Sequence, residues 1–232
     1  MKIVLISDTH LRHRSHWIKV PDCDLVIHAG DALIGGEKDE LQSFLEWFTE
    51  LPARHKVFCA GNHDVFFEKY PDQARAFLPD SVIYLQDSGV EIEGLKIWGS
   101  PWQPEFQNWA FNLPRGDALK AKWDKIPSDL DILITHGPPW GILDMSSYGV
   151  PVGCEELRAA VNLRPPRLHV FGHVHPGYGV GKVGQTLFVN AAICDEAYRA
   201  VHSPVVLEMT KDSLKDISED RLYRPVKSPP LW

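Results

Sequence analysis

The sequence predicts an α/β fold of two packed mixed β-sheets flanked by helices, and three observations point to it. Up to about residue 80, short apolar runs alternate with amphipathic stretches of helix length, the pattern of parallel strands with covering helices. After about residue 80, short strands follow one another at the close spacing of antiparallel hairpins. Apolar runs in both halves end in fragments rich in Asp, Asn, His and Gly, and strand ends are where α/β sheets place their sites.

Taken in order, residues 2–6 read as a buried strand and 25–28 as the next. Residues 37–51 read as an amphipathic helix, because Leu41, Phe44, Leu45 and Phe48 share one face, and Pro52 closes it. A strand at 56–59 and the start of a helix at 64–70 follow. Strands at 82–84, 90–92 and 95–98 are separated by the turn residues Asp87-Ser88-Gly89 and Glu93-Gly94. A helix at 116–125, a strand at 131–135 and a helix at 153–162 come next. Strands at 168–171, 178–183, 186–189 and 205–209 complete the set. The tail 227–232 is expected to be a loosely packed end.

With 44% hydrophobic and 24% charged residues, the 232-residue chain can fill a sizeable core. Its net charge of −7 and lack of a Lys/Arg block disfavour an extended grip on nucleic acid. A small phosphorylated substrate stays open, since bound metals create a local positive field inside an acidic protein. Cys23, Cys59, Cys154 and Cys194 are far apart, with no Cys-x-x-Cys, and are expected to be reduced thiols in a cytoplasmic protein. No signal peptide, bilayer span or membrane partner is expected, and the oligomeric state is open.

The chemistry lies in five fragments. They are Ser7-Asp8-Thr9-His10, Gly30-Asp31, Gly61-Asn62-His63-Asp64, Thr135-His136-Gly137 and Gly172-His173-Val174-His175, each directly after an apolar run. This is a mixed oxygen and nitrogen donor set without thiolate. It suits Mn²⁺, Fe, Zn²⁺ or Ni²⁺ better than Cu(I) or Ca²⁺. Two such ions roughly 3.5–4 Å apart activate an attacking water and steady the charge of an in-line displacement.

The same fragments, in this order, resemble the calcineurin-like metallophosphoesterase superfamily. The strings Ile27-His28-Ala29-Gly30-Asp31, Gly99-Ser100-Pro101-Trp102 and Thr135-His136-Gly137-Pro138-Pro139 resemble its metallophosphoesterase-domain-containing branch. The resemblance implies a four-layer α/β/β/α sandwich. It extends over about residues 2–192 of a single domain spanning 1–232. It implies that Asp8, His10 and His175 hold one metal, that Asn62, His136 and His173 hold the other, and that Asp31 bridges them. His63 is then the catalytic group that faces the substrate. The expected cofactors are two divalent ions, with Mn²⁺ first.

Other residues keep two readings. Asp64 is favoured as a helix cap. His173 and His175 are read as alternating along a strand. His28 is read as a support behind the ligands and His169 as structural; His13, His16, His55 and His202 are placed at the surface. Arg12 and Arg14 either touch a substrate phosphate or are solvated. The aromatic loop 101–111, with Trp102 as its substrate-contact candidate, either walls a cleft or caps a sheet end. Asn112, Arg115 and Tyr178 share that uncertainty.

The function expected is metal-dependent hydrolysis of phosphodiesters, including cyclic nucleotides, and of phosphomonoesters. A general phosphomonoesterase or protein phosphatase is the alternative, though the Ala-Leu-Ile-Gly-Gly run after Asp31 lacks the Arg that protein phosphatases carry nearby. A non-catalytic scaffold that keeps the fold is the reading from another class.

Overall fold

The computed structural model describes residues 1–218; the expected loose end at 227–232 lies outside them. Four parallel strands, β1 (Lys2–Ile6), β2 (Cys23–His28), β3 (Ala53–Phe58) and β4 (Val82–Tyr84), form most of the first sheet. The second sheet begins from a hairpin, β5 (Ser88–Ile92) with β6 (Leu95–Ser100). Strands β9 (Ile132–Thr135), β10 (Leu168–Phe171) and β12 (Thr186–Asn190) continue it in parallel from β6, and β11 (Gly179–Val183) closes its edge antiparallel to β12. Antiparallel β13 (Val205–Met209) and β14 (Leu214–Asp216) return to extend the first sheet beside β1. A two-stranded ribbon, β7 (Gln103–Pro104) with β8 (Asn112–Leu113), ties down the aromatic loop.

Strand alternation sorts the apolar side chains into layers. Ile3, Leu5, Leu25 and Ile27 of the first sheet meet Ile97, Ile132, Ile134 and Val170 of the second in one shared core. The opposite faces carry Val4, Ile6, Val26 and Phe58, covered by Leu41, Phe44, Leu45 and Phe48 of α1 (Lys38–Glu50). Leu133, Phe171 and Phe188 of the second sheet are covered by α4 (Asp117–Trp123) and α5 (Glu155–Leu163). The result is the four-layer α/β/β/α sandwich. Two short helices, α2 (Val65–Lys69) and α3 (Pro71–Phe77), stand where one was expected, because Pro71 starts a new helix at its first turn.

The sheets are also joined at their C-terminal ends. Ser7 N–H donates to Ala191 O and Ile193 N–H donates to Ser7 O, both at 2.9 Å. The chain leaving β1 is thereby stitched to the chain leaving β12, and the loops of both sheets converge there.

Candidate metal centre

Every ligand candidate sits on a loop at this convergence. Asp8 and His10 follow β1, Asp31 follows β2, Asn62 and His63 follow β3, His136 follows β9, and His173 and His175 follow β10. Three groups bring ligand atoms within 4.8 Å of one another: Asp8–His10–His175, Asp31–His136–His173 and His10–Asp31–His63. Asn62 Oδ1 lies 3.0 Å from His136 Nε2 and so joins the second group. The second and third groups share Asp31, whose Oδ2 is 3.3 Å from His136 Nε2 and 3.9 Å from His10 Nε2.

The donor set fits divalent cations. Asp8 and Asp31 are buried, and the ion pairs found for them among the described residues are with histidines. Buried carboxylates without a firm cationic partner are costly. The imidazoles are aimed in advance. Nδ1 of His10 lies 3.0 Å from Leu33 O, that of His136 3.0 Å from Ala29 O, and that of His175 2.9 Å from Asp195 O. A carbonyl only accepts, so each Nδ1 carries a proton and each Nε2 faces the cluster. His63 is set likewise, with Nδ1–H donating to Ile34 O at 2.6 Å.

Burial and charge compete at each group. Burial raises the Asp8 carboxyl, but the hydrogen bond and charge of His175 hold it below the usual carboxylate range. Burial also raises Asp31, and the charge and hydrogen bond of His136 overcome it, so Asp31 too is held low. His136 is pushed up to about 9, its burial outweighed by Asp31. Burial dominates at His10, lowered to about 4, and at His173, lowered to about 3.

The backbone is bent to suit. Asp8, His10, Asp31 and His173 have φ of 53°, 40°, 55° and 65°, the left-handed region that ordinary side chains avoid. Each such residue costs on the order of 1–3 kcal/mol unless its surroundings hold it. Backbone hydrogen bonds do so: Asp8 N–H donates to Gly30 O and His10 N–H to Asp31 O. Gly172 is required for a second reason: a Cβ there would collide with the Asp8 carboxylate and the Ser7 hydroxyl.

Several sequence expectations are corrected. Asp64 does not cap α2 with its side chain; its carboxylate accepts from the N–H groups of Asp31, Leu33 and Gly61, lacing two ligand loops together. His173 and His175 do not alternate on a strand, because the chain leaves β10 at Phe171 and forms a short 3₁₀ turn over His175–Gly177. His13 is buried rather than exposed, since α1 packs over it and its ring lies 5.1 Å from that of Trp47. Tyr178 is buried between the sheets, its hydroxyl donating to Ser203 O. His28 does stand behind the ligands, 2.9 Å from Thr9 Oγ1, and His169 stands 2.9 Å from Thr135 Oγ1.

The two substrate-contact candidates fall outside the cleft at the centre. Arg12 is exposed and its Nε donates to Tyr198 O. Trp102 donates from Nε1 to Asp87 and lies under the Lys122 ammonium, 3.7 Å from its ring centre. Its neighbours on the loop line the cleft instead. Trp109 lies 4.1 Å from the His63 ring, tilted by 31°, and Phe106 meets His173 edge-on at 5.6 Å. Tyr198, which the sequence did not single out, lies 4.5 Å from the His10 ring. The only signal for it would have been its nearness in sequence to Asp195, whose carbonyl holds His175.

The model of the calcineurin-like phosphoesterase family matches residues 1–177, and the chain belongs to that family. With this fold and these clusters, it is of the class of metal-dependent phosphoesterases. More narrowly, it is similar to metallophosphoesterase domain-containing protein 1 of Homo sapiens. The two are 43% identical over 232 residues, covering 90% of this chain and 71% of that protein, and the Mus musculus protein matches equally. Among solved structures it superposes on the phosphopantetheinyl hydrolase of Mycobacterium tuberculosis with a TM-score of 0.61 at 13% identity, covering 97% of this chain and 98% of that one. An archaeal phosphodiesterase gives 0.51 at 18%, covering 94% and 99%. At such identities these two likenesses concern the fold alone.

Proposed function

We propose that the protein hydrolyses phosphodiesters, cyclic nucleotides among them, and phosphomonoesters at a dinuclear centre. The observation that carries this reading is the place of Asp31, whose Oδ2 lies 3.3 Å from His136 Nε2 and 3.9 Å from His10 Nε2. In this reading Asp8, His10 and His175 hold one ion, Asn62, His136 and His173 the other, and Asp31 bridges them. Mn²⁺ is the ion proposed, with Fe, Zn²⁺ and Ni²⁺ able to use the same donors. When bound, the ions supply Lewis acidity toward a phosphoryl oxygen and a nucleophile drawn from water at neutral pH.

The chain's own residues do the rest. His63 Nδ1–H is held by Ile34 O, so Nε2 is the atom that faces the departing alkoxide, and in the imidazolium form it is the Nε2 proton that is given. Trp109 covers the His63 ring and restricts water on that side. Asp31 Oδ1 accepts from the His63 N–H at 2.7 Å, which couples the position of the acid to that of the bridge. No described helix is long and apolar enough to cross a membrane. We further propose that the whole chain is one domain and works in the cytoplasm, a setting that suits its reduced thiols. The test is a manganese-loaded preparation offered aryl phosphodiesters, aryl phosphomonoesters and cyclic nucleotides. Turnover that a chelator abolishes and manganese restores is expected; a fully loaded protein inert toward all three would refute the proposal.

A further inference from the structure

The cleft beside the centre, of about 590 Å³, has a rim that the chemistry above does not use. One part of that rim is the aromatic loop at Phe106. The other is a turn carrying Tyr148 and Val150. Tyr148 is 92% exposed, yet its turn is rigidly built. Ser146 N–H donates to Val150 O at 3.0 Å, Val150 N–H donates to Ser146 Oγ at 3.3 Å, and Met145 bridges to Pro151. At the base of the turn, Asp144 accepts from the N–H groups of Gly141 and Gly153. Phe106 is half-exposed, and the carbonyls of Phe106 and Gln107 are held by the Asn112 amide. Two rings are therefore presented to solvent on preorganised backbone at one cleft, which lowers the ordering cost of gripping a flat group.

Charge narrows what that group can be. Glu105 and Glu196 line the cleft with Asp31, and Arg115 is its one lining Lys or Arg among the described residues. The Arg115 guanidinium is already engaged, by Glu155 and by the carbonyls of Val152 and Gly153. A polyphosphate or an acidic peptide would find no free cation here beyond the metal centre. An uncharged ring would find one exposed and one half-exposed aromatic side chain.

We propose that Tyr148 and Phe106 form a stacking clamp for a planar aromatic group on the organic side of a singly charged phosphoester. The proposal rests on the phosphoester reading of the centre and adds the class of the ester group.

The test is calorimetric binding to the manganese-loaded protein of two phosphinates that cannot be hydrolysed, methyl(phenyl)phosphinate and methyl(cyclohexyl)phosphinate. They share charge and bulk and differ in the flat ring. The phenyl compound is expected to bind roughly 10-fold more tightly, the scale of one aromatic stack. Tyr148→Ala and Phe106→Ala should each erase most of that preference, and Tyr148→Phe should keep it. An adenine-bearing methylphosphinate identifies the ring: tighter binding than phenyl that Tyr148→Ala abolishes assigns a nucleobase, and weaker binding assigns a smaller aryl group. Equal binding of phenyl and cyclohexyl, no binding of either, or a preference untouched by both alanine variants would overturn the clamp. A phenyl preference in a protein that hydrolyses no phosphoester would remove the hydrolytic reading and leave the clamp standing.

Discussion

Behind the ligand loops of the first sheet, the buried His28 of β2 meets Thr9, which stands between Asp8 and His10; behind those of the second, the buried His169 of β10 meets Thr135, which precedes His136. Both contacts are 2.9 Å, but the two imidazoles are loaded differently. Gly30 N–H donates to His28 Nδ1, so His28 gives its Nε2 proton to Thr9 and both nitrogens are used. The Thr135 hydroxyl gives its proton to Gly137 O, so His169 must also donate from Nε2, and its buried Nδ1 has no hydrogen-bond partner among the described residues. An unmet buried acceptor costs about 1–3 kcal/mol. The ligands in front differ too. His10 lies 3.9–4.0 Å from its carboxylates and burial lowers it, whereas His136 lies 3.3 Å from Asp31 and is raised. Equivalent-looking histidines at two strand ends are thus separated electrostatically by their distance to one carboxylate.

Asp31 is where the two halves of the site meet, and its loss should do the most damage. Asp31→Ala is expected to empty both metal positions. It should lower turnover by on the order of 10³-fold or more, beyond the cost of one charge-stabilising donor. Elemental analysis that still finds two ions per chain would end the bridging role. His63→Ala, on the first sheet only, should keep both ions and lose about 10²- to 10⁴-fold in turnover, most with poor leaving groups. Metal loss in that variant would make His63 a ligand instead of an acid.

The supporting histidines sharpen the comparison further. His28→Leu should weaken the ion of Asp8, His10 and His175, and His169→Leu that of Asn62, His136 and His173, each about 10- to 100-fold. Manganese titration followed by electron paramagnetic resonance separates the two positions. Identical loss of both ions in both variants would mean that the histidines only stabilise the fold.

The smallest effect is on acid stability. Burial lowers His169 from 6.5 to about 3, so between those values the unfolded chain binds a proton that the folded chain refuses. Native stability should therefore fall with pH across that window. His169→Leu should remove this contribution, at most about 1.4 kcal/mol per pH unit. Denaturant unfolding at pH 7.5 and pH 5 measures it, and a wild-type-to-variant gap independent of pH would contradict the buried neutral state.

Much of this was legible from residue order. The helix expected at 37–51 is observed at Lys38–Glu50, because its apolar face repeats at helical period over several turns. The donor fragments stood out because each follows an apolar run, and a strand end holds its loop in place; which of their residues hold which ion was implied by the family resemblance. The misreadings fall where local pattern carries no information. The histidines of the Gly172-His173-Val174-His175 fragment looked like strand alternation, but the chain turns at Gly172, where only the absence of a Cβ leaves room for Asp8. Trp102 and Trp109 sit on one short loop, and only the path of that loop decides that one packs on Lys122 and the other on His63.

By itself, the sequence determined the alternation of strands and helices, the donor types and the order in which they enter the site, since these follow from short-range period and side-chain chemistry. Tertiary structure alone decided that Asp31 reaches two ligand groups, that Asp64 laces the loops, that His13 is buried, and that Tyr148 stands beside the centre. The first depends on how the two sheets meet at Ser7 and Ala191, a contact between residues 184 positions apart, and the rest on which segments pack together; no local pattern encodes either.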